Sequence, residues 1–133
     1  MAATVHVPVL SLSAVDFTNL GQTIKIPDDK MKRPDFQSDV LSFYGSLALF
    51  DSNAPMEFGI CAYRRRALVV ERLEQHLRTQ ELLYAIDGDF IMPVAPNAVG
   101  GSGNAPDLEN LVAVTVRRGE GVLFHPKVWH WVP

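Results

Sequence analysis

Cysteine is almost absent from the sequence, with Cys61 its only example. A lone thiol excludes an internal disulfide and any cysteine-rich zinc site. It also fits a reducing compartment. Long hydrophobic runs are missing. No apolar stretch reaches the roughly 18 residues of a membrane-spanning helix. The opening residues, MAATVHVPVLSLSAV, lack the basic start of a secretion signal. A cytoplasmic protein with no membrane partner is expected. Basic charge is in short supply, since 12 Lys and Arg stand against 15 Asp and Glu, for a formal net charge of -3. Nucleic-acid binders present a basic face, so nucleic acid is not an expected partner. There is no internal repeat. The Gly-Gly-Ser-Gly at 100–103 lacks the Gly-Lys-Ser/Thr ending and the helix start of a phosphate loop.

What is present is ordinary for a folded domain. The 133 residues are 47% hydrophobic and 20% charged, enough for one domain (1–133) with a buried core. Nine Pro and nine Gly predict many turns and short elements. Apolar, β-branched stretches predict strands over 5–12, 23–26, 40–49, 56–63, 89–94, 111–117 and 121–124. Ser13 can cap a short helix with Asp16 in its first turn and Gly21 at its end. Residues 28–38 are polar and broken by Pro34, hence a loop. Residues 96–106, PNAVGGSGNAP, read as a flexible surface loop between strands. Asp87-Gly88 and Gly119-Glu120-Gly121 are turn signals. Many short strands with regular turns suggest a sandwich or a barrel. Local propensity over 67–83 favours a helix, because Leu73 and Leu77 have helical spacing among good helix formers.

Two patches carry the residues of chemistry. The first runs from Glu71 to Glu81 and holds Glu74, His76 and Gln80. If it is extended, alternation sets Glu74 and His76 on one face, with Glu81 a further polar group nearby. The second follows Gly121 and contains His125, Lys127, Trp129 and His130. Arg64-Arg65-Arg66 is a basic run whose default reading is a solvated face. Trp129 reads as core or pocket wall, and Cys61 as a core residue.

The spacing from His76 through Glu81 to Gly88 resembles the first motif of the cupin superfamily, with Glu74 standing where the first histidine of a pair is usual. Imidazole and carboxylate both bind first-row metals. The chain more closely resembles the ureidoglycolate lyase family, cupin-like enzymes that split ureidoglycolate into glyoxylate and urea in purine (allantoin) degradation. Asp16-Phe17-x-x-Leu20-Gly21-x-x-Ile24 matches its opening pattern, and Leu73-Glu74-x-His76, Thr79-Gln80 and Gly88-x-Phe90 match its central motif. Gly119-x-Gly121-x-x-x-His125-x-x-x-Trp129-His130 matches its last motif.

The resemblance implies a mainly β fold, a small cupin-like barrel (jelly roll), with a short N-terminal helix. It implies two extended pieces, 69–76 and 80–86, in place of a helix there. It also implies a homodimer, and a further strand or two beyond Pro133. It implies His125 or His130 as base, with Glu74 and Lys127 also in the catalytic set. Arg64, Gln80 and Trp129 would bind the small carboxylic-acid substrate, with Arg64 and Lys127 clamping its carboxylate. A divalent metal (nickel, manganese or zinc) would rest on His76, Glu74 and His125. Two alternatives stay open: an enzyme for another small hydroxy, keto or sugar acid, and a non-catalytic small-molecule binder.

Overall fold

The computed structural model describes residues 4–28, 32–100 and 104–133. The chain is mainly β, with nine short strands among the described residues: β1 (Val9–Ser11), β2 (Gly21–Ile24), β3 (Phe36–Gln37), β4 (Ser42–Phe43), β5 (Glu81–Tyr84), β6 (Phe90–Ala95), β7 (Val112–Val116), β8 (Gly121–Phe124) and β9 (Trp129–His130). They form a four-stranded sheet in the order β1-β7-β6-β9, a three-stranded sheet β2-β8-β5, and a separate β3-β4 pair. β1 runs parallel to β7, and every other pairing is antiparallel. No closed barrel forms among the described residues.

The strands obey period-two logic. Met92 and Val94 of β6, Val114 and Val116 of β7, and Val122 and Phe124 of β8 enter one apolar cluster with Leu12, Phe17, Leu20 and Val128. Both larger sheets thus feed the same core. All four residues of β8 are buried, because this strand lies between β2 and β5. Pro93 is tolerated inside β6 for a geometric reason. It faces Ala113, whose N–H points the other way to the Pro8 carbonyl at 2.8 Å, so the missing proline N–H costs no bond to β7. Two glycines are required by close approach. A Cβ on Gly21 would strike the Leu123 carbonyl, and one on Gly119 (φ +84°) would strike the Ile26 side chain.

Several expected elements differ. The N-terminal helix is one 3-10 turn, Leu12–Ala14, whose N-cap residue is Ser11 and not Ser13. Asp16 Oδ1 instead accepts from the N–H and hydroxyl of Thr18 (2.9 and 2.6 Å). That local capture competes with a helical turn. The chain then folds back, with Leu20 and Gly21 both donating to the Phe17 carbonyl. No helix forms over 67–83. Glu74 makes a single β-bridge there, and β5 follows. The strand expected over 40–49 shrinks to Ser42–Phe43, and 56–63 contains no strand. These residues have β-type sequences, but among the described residues only β3 pairs with 40–49 and no strand pairs with 56–63. The loop at 96–106 is pinned at its base by the Asn97–Pro106 bridge, and the expectations for 101–103 and 29–31 lie outside the described residues. No helix among the described residues is long and apolar enough to cross a membrane.

Candidate metal centre

The site is assembled by backbone pairing. Glu74 N donates to the His130 carbonyl (2.7 Å) and His130 N donates to the Glu74 carbonyl (2.8 Å). Such a two-bond antiparallel pair puts both side chains on one face. His76, two residues on, shares that face. Its carbonyl accepts from Lys127 N at 2.7 Å, so two contacts zip 74–76 onto the 127–130 segment. On its other side β9 pairs with β6 through Val94 and Ala95, which anchors His130 in the larger sheet.

His130 is only 2% exposed. Its ring stacks on Phe124 at 4.8 Å and lies 5.5 Å from the His76 ring. Nδ1 is 3.0 Å from the Val128 carbonyl, which can only accept, so the network assigns a hydrogen to Nδ1. Nε2 points at Glu81 Oε2, 2.6 Å away. That nitrogen carries either a proton for Glu81 or a lone pair for a metal ion. His76 Nε2 approaches the same carboxylate oxygen at 3.3 Å. The alignment makes no hydrogen bond, so this atom is buried without a partner, although the rest of the ring is partly exposed. The His130 hydrogen bond holds the Glu81 carboxyl below its usual range, with the charges of both histidines adding to this and burial opposing it.

Glu74, His76 and His130 each direct one ligand atom to a common place, all within 4.8 Å of one another. Ligands about 2 Å from a shared ion lie about 3–4 Å apart. Two imidazoles and a carboxylate are a donor set that first-row divalent metals accept. The unpartnered His76 Nε2 is the atom such an ion would satisfy. The group could therefore hold a metal ion.

The other expected site residues are dispersed. His125 follows β8, where its backbone N–H binds the Leu20 carbonyl (2.9 Å), and it is not a member of the cluster. Lys127 sits in a turn with φ 70° and an exposed side chain, its carbonyl accepting from Gln75 Nε2. Arg64 is exposed. Gln80 Oε1 accepts from Asp51 N at 2.7 Å, and Trp129 Nε1 donates to Asn97 Oδ1 at 3.0 Å. Glu81 is the group the expected site set lacked. Its signal was the cupin-like spacing from His76. An open groove lined by His6, Pro8, Leu108 and Glu109 shares no residue with the cluster.

Comparison of the chain with protein-family models finds no match, and neither does comparison with curated proteins.

Proposed function

We propose that the chain is a metal-dependent enzyme of cupin-like build that cleaves a small hydroxy acid in the manner of a ureidoglycolate lyase. The observation that carries this reading is the convergence of one ligand atom each from Glu74, His76 and His130, with His76 Nε2 buried and without a hydrogen bond. The motifs shared with the ureidoglycolate lyases run through the same residues, which supports that substrate over other small acids.

In this reading Glu74, His76 and His130 hold the ion. A divalent ion bound there would polarise the hydroxyl and carboxylate of the substrate together. The Nδ1 bond to Val128 fixes the ring of His130 so that Nε2 faces the site. Glu81, ionised and beside both histidines, takes the base role that the resemblance assigns to His125 or His130. It accepts the hydroxyl proton of ureidoglycolate as the C–N bond breaks and returns it to the departing urea nitrogen, leaving glyoxylate. Phe124 and the core behind it keep water from the inner side of His130.

The test is urea and glyoxylate release from racemic ureidoglycolate, with and without nickel, manganese or zinc, together with zinc binding by calorimetry. His130→Ala should lower turnover and zinc affinity about a hundredfold or more, while His125→Ala leaves zinc affinity nearly unchanged. Release no faster than the spontaneous reaction, from folded protein with metal bound, would refute the lyase and move the function to another small acid or to binding. Absence of metal binding would refute the centre itself.

A further inference from the structure

We propose that Asn97 and Asn104 brace the metal centre from its outer side, acting through Gln75 and Trp129 as positioning residues. The inference rests on the metal centre described above but not on the reaction proposed for it. The segments that carry the ligands are slight. β9 has two residues, and Glu74 meets it through a single bridge. So few backbone bonds leave the separation of the ligand atoms loosely set. A metal site needs that separation held by its surroundings.

Alternation shows where such a hold can act. Glu74, His76 and His130 share the inner face, so Gln75 and Trp129 point to the opposite side. Trp129 pairs with Ala95 of β6. Ala95 is fully buried, although alternation turns it away from the core that Met92 and Val94 enter. The outer side is therefore packed here as well.

Both outward residues are bonded to one body of chain. Trp129 Nε1 donates to Asn97 Oδ1 at 3.0 Å. Asn104 Nδ2 donates to Gln75 Oε1, and Gln75 Nε2 donates to the Lys127 carbonyl at 3.0 Å. The ends of these links fix every role. An indole N–H only donates, so Asn97 must present its oxygen. A carbonyl only accepts, so Gln75 must turn its amino group to Lys127 and its oxygen to Asn104. The two asparagines are themselves tied together. Ala98 N donates to the Ala105 carbonyl (2.8 Å), and Asp107 N donates to the Pro96 carbonyl (2.9 Å). One link thus holds the residue before His130. The other holds the residue between Glu74 and His76, and joins it to the left-handed turn at Lys127 that leads to His130. Ligands from two separate segments are set against a common support.

Zinc calorimetry and the visible spectrum of the cobalt(II)-loaded protein test this. Gln75→Glu keeps the size of the side chain and loses the donor to Lys127. Asn104→Asp loses the donor to Gln75, and Trp129→Phe keeps an aromatic ring without the N–H. Each should weaken zinc binding about tenfold and shift the cobalt bands. An added negative charge alone would strengthen the binding of a cation, so a loss in the two acidic variants reports the lost bond. Asn97→Asp keeps the oxygen that Trp129 needs and should leave affinity and spectrum nearly unchanged. Wild-type affinity and spectrum in Gln75→Glu and Trp129→Phe would overturn the proposal. So would equal losses in Asn97→Asp and Asn104→Asp. Hydrogen exchange on the metal-free protein gives a reading that needs no ion. Exchange at the N–H groups of Glu74 and His130, which bond each other's carbonyls, should be faster in the first three variants than in the wild type. A wild type that binds no zinc would refute the centre, whereas unchanged exchange would overturn the brace. Urea unfolding of each variant separates a lost fold from a lost brace.

Discussion

The two halves of the molecule solve the same problem differently. Residues 81–130 carry five of the nine strands, and their apolar side chains close on one another: Met92, Val94, Val114, Val116, Val122 and Phe124 are all essentially inaccessible. Residues 40–70 are nearly as apolar in sequence, yet Val40, Leu49, Phe58, Ile60 and Leu68 all face outward. Strand propensity is similar in both. The difference is the supply of partners. Every strand of 81–130 is paired within the two larger sheets, β5 with β8 and β6 with both β7 and β9, whereas no strand forms over 44–72 among the described residues. Propensity makes a strand possible, and a neighbour makes it real.

Two pairs of substitutions and one titration press on that contrast, in decreasing order of effect. Phe124→Ala empties the centre of the core and removes the face on which His130 rests, and should cost about 3–5 kcal/mol in urea unfolding. The same change at the exposed Phe58 should stay within about 0.5 kcal/mol. Equal costs would dissolve the distinction between the halves. Glycines give a second comparison. Gly119→Ala combines a left-handed φ of +84° with a collision against Ile26, and should lose about 1–3 kcal/mol. Gly59→Ala meets nothing within 4 Å and should be close to neutral in thermal melts. The smallest effect concerns Tyr63, where the two regions touch. Burial first, and then the bond with Cys61, pushes its phenol well above the ordinary 10.0. A raised value in the folded state stabilises fully below pH 10 and is lost as pH climbs through the folded value. Ultraviolet titration should show a phenol ionising only at the alkaline extreme, with stability falling there. A phenol titrating at its ordinary value would detach Tyr63 from Phe90.

The fold was legible where pattern and partner coincide. The strand over 121–124 has the same bounds in sequence and structure, and those near 89–94 and 111–117 shift by about one residue, because buried β-branched runs bounded by Asp-Gly and Gly-Glu-Gly turns leave few alternatives. The helix expected after Ser13 gives way to a 3-10 turn because Asp16 binds Thr18 locally, a competition that capping rules weigh poorly. Over 67–83 helical propensity lost to tertiary pairing, through Glu74 with His130 and Lys127 N with the His76 carbonyl.

The residues of the site divide the same way. Alternation alone sets Glu74 and His76 on one face if extended, and the order of residues puts two histidines after the strand ending at Phe124. Which of those histidines joins them follows from long-range pairing. The turn at Lys127, left-handed at φ 70°, reverses the chain after His125. The reversal brings His130 against Glu74, between the Phe124 ring and the Glu81 carboxylate, and leaves His125 outside. Spacing along a chain cannot specify such a choice, because it depends on which backbone groups find partners across the fold.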